Sequence, residues 1–316
     1  MKILLTQGEP LGIGPEIALK AMAEFAPPEG VEVVLVGNPD ELRRVGSALR
    51  LPVPREVIPV SGPSLALAAL EEAARLVAAG EAHAVTTAPV NKARLRDAGF
   101  PFPGQTEFFT ERFGAKKSVM MLAAGGLRCV PATIHVGLAE VPRLLTAEKL
   151  DETLRLTHAA LRRDFAIPDP RIAVLGINPH AGEEGLFGDE EGRVFAPVLA
   201  RARADGLRVE GPLPGDATFA PRSRARFDAI VGAYHDQALG PFKALAGGTG
   251  VNVTLGLPAI RTSPDHGTAE DIAGKGIGDP VSLIAALDLA VAMAGNRARY
   301  DAADAGEKLW GPGIGP

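Results

Sequence analysis

Short apolar runs alternate with longer helical patterns along most of the chain, and this alternation limits the possible folds more than any other feature. Repeated strand–helix units are typical of a mostly parallel sheet with helices on both faces. The predicted strands cover residues 3–6, 31–36, 84–87, 118–123, 130–135, 171–176, 228–233 and 251–255. The predicted helices cover residues 15–25, 39–49, 64–79, 91–98, 106–113, 146–164, 189–204 and 280–294.

The pattern predicts two α/β/α lobes with a cleft between them. The first lobe comprises residues 1–105 and 280–316, and the second comprises residues 106–279, with most of the chemically interesting motifs. Residues 124–127 read Ala-Gly-Gly-Leu between two apolar runs, which predicts a hairpin and hence an antiparallel element. The glycine- and proline-rich residues 311–316 are expected to be disordered.

Composition excludes several classes of partner. The formal net charge is −5 and no basic run stands out, so neither nucleic acid nor an anionic membrane is an expected partner. No apolar run approaches the ~20 residues that span a bilayer, and a cytoplasmic protein is the default expectation. The single cysteine, Cys129, lies in an apolar run and is expected to be a small core residue.

The chain carries neither a G-x-G-x-x-G fingerprint nor a phosphate-binding P-loop motif. The first predicted strand leads instead into residues 8–16, Gly-Glu-Pro-Leu-Gly-Ile-Gly-Pro-Glu, where glycines permit close approach of a ligand and a proline starts a helix. A second loop, residues 263–276, combines a histidine, small residues and carboxylates. From the residues alone, each loop is either a ligand contact or an ordinary turn.

The second loop resembles the adenosine-binding loop of the isocitrate and isopropylmalate dehydrogenase superfamily. The resemblance implies that His266 stacks on adenine and that Asp271 holds the ribose hydroxyls. Gly267 and Thr268 complete the implied cofactor-binding set. A carboxylate at this position would repel the extra phosphate of NADP, so NAD is the expected cofactor.

Three of the six histidines follow predicted strands: His135, His180 and His235. Ligands of parallel α/β sheets bind outside the carboxyl ends of the strands, so all three imidazoles are able to face one crevice. Three imidazoles with one open position describe a catalytic divalent-metal site. The alternative is that each histidine is an isolated polar residue of its loop.

Several segments resemble the 4-hydroxythreonine-4-phosphate dehydrogenase family. They are residues 8–16, Asn-Pro-His-Ala-Gly-Glu at 178–183, Gly-Pro-Leu-Pro at 211–214, Tyr-His-Asp-Gln at 234–237, residues 250–258, Arg-Thr-Ser at 261–263 and Asp-His-Gly-Thr at 265–268. The resemblance implies an isopropylmalate dehydrogenase-like fold, unlike the Rossmann fold. It also implies a homodimer with shared active sites, in which His135, His180 and His235 from both subunits hold one divalent metal, such as zinc, cobalt or magnesium.

The implied substrate-binding residues are Lys243, Asn252 and Arg261, together with a Gly-His-Thr-Glu motif. That motif reads Gly-Gln-Thr-Glu at residues 104–107, so Thr106 is retained and Gln105 replaces the histidine. Gln105 can hydrogen-bond a phosphate or hydroxyl but cannot gain charge near neutral pH.

The implied reaction is the NAD-dependent oxidation and decarboxylation of 4-phosphooxy-L-threonine to 3-amino-2-oxopropyl phosphate, in pyridoxine 5'-phosphate biosynthesis. Asp216 is the first candidate for the general base, Asp236 is the second, and Lys243 supports charge on the enolate or donates a proton. Three alternatives remain: a family dehydrogenase for another phosphorylated hydroxy acid such as 4-phosphoerythronate, a three-histidine metal hydrolase, and a catalytically silent binding protein.

Overall fold

The computed structural model describes the backbone of residues 1–310 and the side chains of residues 1–303. Eleven strands are described in this part of the chain. In chain order they are β1 (Lys2–Thr6), β2 (Glu32–Gly37), β3 (Val57–Pro59), β4 (Ala84–Thr87), β5 (Val119–Ala124), β6 (Leu127–Thr133), β7 (Arg171–Leu175), β8 (Arg208–Leu213), β9 (Ala229–Tyr234), β10 (Val251–Leu255) and β11 (Ile260–Pro264).

Twelve α-helices lie between and after these strands over the same described range. They are α1 (Gly14–Glu24), α2 (Pro39–Leu49), α3 (Leu65–Ala78), α4 (Lys92–Asp97), α5 (Gln105–Arg112), α6 (Val141–Leu144), α7 (Ala147–Arg163), α8 (Ala196–Ala204), α9 (Gly215–Thr218), α10 (Pro221–Arg224), α11 (His235–Ala246) and α12 (Val281–Trp310). Side-chain caps fix several starts: Asn38 accepts a hydrogen bond from Glu41 N, and Thr146 accepts one from Lys149 N.

The chain divides into two compact units. The first contains Met1–Ser118 and Gly248–Ala294, and its strands lie in the order β3-β2-β1-β4-β11-β10. All neighbours in this order are parallel except β10 and β11, which are antiparallel. Helix α3 buries Ala69, Leu70 and Ala73 in the core of this unit, because its apolar residues recur at helical spacing.

The second unit contains Val119–Gly247 and the chain from Gly295 onward, and its strands lie in the order β5-β6-β9-β7-β8. Strands β5 and β6 form an antiparallel hairpin, and the remaining neighbours are parallel. Phe242 on α11 is fully buried and packs in one cluster with Leu175 and Ile230. This packing places the first residue of α11 directly after the end of β9.

The predicted α/β architecture with mostly parallel sheets is confirmed, and so is the hairpin, in which Ala124 pairs with Leu127. Strands β3, β8 and β11 were not predicted. The compact units divide the chain at positions other than the predicted lobe boundaries, since residues 106–118 and 248–279 pack within the first unit. Residues 311–316, predicted to be disordered, lie outside the described part.

Helix α12 is longer than predicted and is apolar enough over Val281–Ala303 to cross a membrane by length and composition alone. The sequence predicts no apolar run of this length, because charged residues interrupt the apolar ones. Leu283, Leu287 and Met293 on this helix are almost fully buried in the protein. One side of the helix therefore packs in the core, while 39% of the apolar window as a whole is buried.

Cys129 provides a test of the core of the second unit. Its side chain is fully buried in β6, and burial raises the pKa of the thiol to about 12. The unfolded chain loses the thiol proton near the ordinary pKa of 9.0, and the folded chain loses it near 12. The contribution of the neutral thiol to folding stability is therefore complete below pH 9.0 and is lost as the pH rises towards 12. We expect no reaction with Ellman's reagent in the native protein at pH 8 and one equivalent in denaturant; rapid native labelling would contradict the buried position.

Candidate functional site

A buried guanidinium group lies at the centre of the first unit's candidate site. Arg261 is the second residue of β11 and only 3% exposed. Its Nη2 donates to Thr87 Oγ1 at 2.8 Å and to Gln105 Oε1 at 3.0 Å, and its Nη1 donates to Thr254 Oγ1 at 3.4 Å. Burial lowers its pKa to about 10, so the group stays charged at neutral pH.

The atoms that accept its hydrogen bonds are hydroxyl and amide oxygens, and its buried Nε has no hydrogen-bond partner among the described residues. The Glu107 carboxylate acts on it through charge, with no hydrogen bond between them in the described structure. A buried cation in such surroundings favours an anionic ligand. Of the other predicted substrate residues, Thr106 follows Gln105 on α5 and Asn252 lies on β10, which pairs with β11. Lys243 is exposed on α11 in the second unit.

The predicted cofactor loop packs against the glycine loop of residues 8–16. Ile13 N donates to Thr268 O at 2.9 Å, and a Cβ at Gly12 would lie only 2.6 Å from that oxygen. Glycine at this position is therefore needed for the contact between the two loops. His266 Nδ1 lies 3.0 Å from Gly267 O, while its Nε2 is buried without a partner in the described structure. An unpartnered buried ring nitrogen fits a loop that receives a polar ligand.

Two neighbouring acids of this loop have different surroundings. Glu270 accepts hydrogen bonds from both terminal nitrogens of Arg94, at 2.7 and 2.8 Å, and one from Asn91 Nδ2 at 2.7 Å. Hydrogen bonds from Arg94 lower the pKa of Glu270 to about 2. Asp271 is exposed and makes no such contact in the described structure. Glu270 thus anchors the loop, and Asp271 remains accessible to a ligand.

Two of the three predicted metal ligands lie side by side in the second unit. His135 follows β6 and His235 begins α11 after β9, and these strands pair with Thr133 opposite Tyr234. The ring centroids are 5.9 Å apart. His235 Nδ1 lies 2.6 Å from Asp236 Oδ1. This contact leaves Nε2 as the ring nitrogen that can bind a metal.

The third histidine lies elsewhere in the same unit. His135, His235 and Asp236 line a cavity of about 240 Å³, whereas His180, Asp216 and Asp236 line another of about 400 Å³. Within the described chain, no group of three or more histidine, cysteine or acidic side chains is close enough to hold a metal ion. A single chain therefore brings together two of the three predicted imidazoles, and Asp236 lines both cavities.

The imidazole pair and the nearby carboxylates nevertheless match what a divalent transition metal accepts. Neutral ring nitrogens bind zinc, cobalt and nickel, and a carboxylate on the far ring nitrogen is a frequent supporting partner. Asp216, the second residue of the short helix α9, is exposed and lines the same cavity as His180. These donors fit an incomplete metal site that needs further ligands.

His180 sits in an unusual left-handed turn. His180, Ala181, Gly182, Glu183 and Glu184 all have positive φ, between 40° and 82°. Left-handed turns of non-glycine residues cost roughly 1–2 kcal/mol per residue, so other contacts must hold this one. Glu191 supplies them: its Oε1 accepts from Asn178 N at 2.8 Å, and its Oε2 accepts from Asn178 Nδ2 at 2.9 Å.

Glu191 also explains the glycine in this turn. A Cβ at Gly182 would lie 2.7 Å from Glu191 Oε2. The carboxylate is 6% exposed and belongs to a π-helical turn, Glu191–Phe195, that leads into α8. No pattern in the sequence indicates Glu191, Arg94 and Glu270 as positioning residues, because ion pairs and amide contacts between distant segments leave no local signal.

Loss of the Glu191 carboxylate should loosen the turn that carries His180. Hydrogen bonds to a charged group contribute about 1.5–3 kcal/mol, so Glu191→Ala should speed amide hydrogen exchange across residues 178–188 by about tenfold or more. Glu184→Ala, an exposed acid in the same turn, is the matched control. Equal exchange in the two variants would show that Glu191 does not hold the turn.

Comparison with known proteins places these features in one family. Residues 34–290 match the family described as "Pyridoxal phosphate biosynthetic protein PdxA". A 4-hydroxythreonine-4-phosphate dehydrogenase from Paracoccus denitrificans is 48% identical, over 93% of this chain and 98% of its own length. Another, from Erythrobacter litoralis, is 46% identical over 94% of this chain and 97% of its own length.

Solved structures agree with this result. The crystal structure of 4-hydroxythreonine-4-phosphate dehydrogenase from Klebsiella pneumoniae has a TM-score of 0.82 and 37% identity, covering 93% of this chain and 98% of that one. A terephthalate 1,2-cis-dihydrodiol dehydrogenase from Burkholderia xenovorans has a TM-score of 0.64 and 31% identity, covering 92% of this chain and 98% of that one. The shared architecture therefore includes dehydrogenases with different names.

Proposed function

The chain belongs to the PdxA family of pyridoxal phosphate biosynthetic proteins, and on that basis we propose that it oxidises and decarboxylates 4-phosphooxy-L-threonine to 3-amino-2-oxopropyl phosphate. The oxidant would be NAD, which accepts hydride from the secondary alcohol. The observation that supports this proposal most directly is the His135–His235 pair, with Asp236 hydrogen-bonded to His235. A metal held by these imidazoles would polarise the substrate hydroxyl, and a polarised hydroxyl is easier to oxidise.

His135, His180 and His235 would hold one divalent metal, with ligands drawn from both subunits of a homodimer. A bound metal supplies Lewis acidity that lowers the pKa of the substrate hydroxyl. Sharing of ligands between subunits accounts for the separation of His180 from the other two within one chain. The protein would act in the cytoplasm on a small phosphorylated substrate.

The substrate's anionic groups would be bound by Arg261, with Gln105, Thr106 and Asn252 contributing hydrogen bonds. The planar guanidinium suits phosphate or carboxylate, and its unpartnered Nε is an available donor. Gln105 Oε1 already accepts from Arg261, so its amide NH₂ is the part that would donate to a ligand oxygen.

The proton of the substrate hydroxyl would pass to a carboxylate. Asp216 is the first candidate and Asp236 is the second, and both line the cavity that contains His180. Lys243 would stabilise negative charge on the enolate oxygen or return a proton after decarboxylation. The carbon of the substrate's carboxylate leaves as carbon dioxide.

A different phosphorylated hydroxy acid, such as 4-phosphoerythronate, is the second candidate substrate. Gln105 is the observation that favours it, because this residue replaces the family's histidine next to Arg261. The similarity to a dihydrodiol dehydrogenase shows that the architecture serves dehydrogenases other than the 4-hydroxythreonine-4-phosphate enzymes.

The proposed reaction predicts NADH formation when 4-phosphooxy-L-threonine and NAD are added to the purified protein. Removal of metal by a chelator should abolish the signal, and added zinc or cobalt should restore it. His235→Ala should lower kcat/KM by about 10²-fold or more, since a metal ligand is lost. His83→Gln, at an exposed histidine of the first unit, should change it little.

Three outcomes of this assay separate the alternatives. Faster NADH formation with 4-phosphoerythronate would favour the second substrate. Phosphate release without NADH would indicate a hydrolase. Absence of turnover with every substrate, even after metal is added, would contradict an enzymatic role.

The cofactor preference provides a separate prediction. Asp271→Lys should raise the NADP/NAD ratio of kcat/KM by about tenfold or more, because a cation replaces the carboxylate that would repel the 2'-phosphate. Glu29→Lys makes the same charge change at an exposed position of the first unit and should leave the ratio unaltered. An unchanged ratio in Asp271→Lys would remove this residue from the cofactor site.

A further inference from the structure

A cationic cavity lies in the second unit, at the ends of strands β6 and β9 opposite to the histidines. It has a volume of about 520 Å³, which is within the range of roughly 300–1,000 Å³ of small-molecule sites. Arg128, at the start of β6, and Asp228, which precedes β9, both line it. His135 and His235 follow the other ends of these strands, about 20 Å away along an extended chain.

Arg128 is held rigidly at the edge of this cavity. Its Nη1 donates to Asp228 O at 3.1 Å and to Gly126 O at 3.3 Å, and its guanidinium lies 4.8 Å from the centre of the Phe165 ring. Its Nε is buried and has no acceptor in the described structure. Burial lowers the pKa of this arginine, yet a guanidinium stays charged in proteins.

Arg224 supplies a second cation that also has a buried nitrogen without a hydrogen-bond acceptor in the described structure. It is the last residue of α10, is half-buried, and lines the cavity. Its Nη1 is also buried without an acceptor among the described residues. A buried donor without a partner is energetically costly, so two such donors on one cavity favour a ligand that brings oxygen acceptors.

Asp228, the acidic residue of the lining, does not accept a hydrogen bond from either of these buried nitrogens. The Asp228 carboxylate accepts from Arg171 N at 2.7 Å and lies 3.9 Å from the Arg171 side chain. The remaining lining is largely apolar and includes Leu127, Ile167 and Phe227. The cavity thus combines two cations and one carboxylate, which faces Arg171 and also acts on Arg128, with an apolar wall.

We propose that this cavity binds a phosphate monoester of a small organic molecule. The phosphate would accept hydrogen bonds from Arg128 Nε and Arg224 Nη1, because neither nitrogen has an acceptor in the described structure and guanidinium groups donate well to phosphate oxygens. The organic part would lie against Leu127, Ile167 and Phe227. This site shares no residue with the proposed catalytic, metal or cofactor sets, and it does not depend on the identity of the substrate.

The probe for this site is 4-bromophenyl phosphate, which joins a phosphate to an apolar ring. Isothermal titration should show binding to the complete protein, and Arg128→Gln and Arg224→Gln should each weaken it by about tenfold or more. Arg222→Gln removes an exposed arginine from the same short helix and should leave the affinity unchanged. Inorganic phosphate and 4-bromophenol should each bind more weakly than the joined molecule.

Anomalous scattering from bromine in soaked crystals distinguishes this site from the Arg261 site. A bromine peak beside Phe227 and Ile167 supports the proposal. A peak confined to the Arg261 region, or equal affinity of Arg224→Gln and the unmodified protein, overturns it. Circular dichroism checks the fold of each variant. If Arg128→Gln unfolds, Arg224→Gln still tests the proposal, because Arg224 lies on the short surface helix α10.

Discussion

The burial of the Arg261 guanidinium is the constraint on which the first unit's candidate site depends. A charge in the middle of a strand must be solvated by the protein, and here Thr87, Thr254 and Gln105 provide oxygen atoms from three different elements. Thr262, the next residue, faces the other way and donates to Ala286 O on α12. The alternation of one strand thus binds the last helix on one face and presents a cation on the other.

In the second unit, the candidate site depends on imidazoles held in place after the ends of strands. Pairing of β6 with β9 sets the spacing of His135 and His235 through regular geometry, whereas His180 depends on a strained turn that buried Glu191 stabilises. Strain of this kind persists only where surrounding contacts over-determine it, and it concentrates at functional sites. We infer that the position of His180 is the more sensitive of the two to changes in distant residues.

The sequence predicted the α/β class, the hairpin and the strand-end positions of all three histidines, because these follow from local periodicity. It did not predict β11, since Ile-Arg-Thr-Ser-Pro lacks an apolar run and a central arginine argues against burial. Nor did it reveal the left-handed turn at His180, where only two of the six residues from 180 to 185 are glycine. Both features depend on partners far away in the chain, such as Thr87 and Glu191, which no local pattern contains.

The two carboxylates proposed as general bases differ in a way that separates their roles. Asp236 Oδ1 lies 2.6 Å from His235 Nδ1, a hydrogen bond that orients that ring. Asp216 is the second residue of the short helix α9, lines the same cavity as His180 and makes no such contact with an imidazole in the described structure. A base must be free to accept a proton from the substrate, whereas a carboxylate that supports a metal ligand must keep its hydrogen bond throughout. We therefore propose Asp216 as the base and Asp236 as the residue that orients His235.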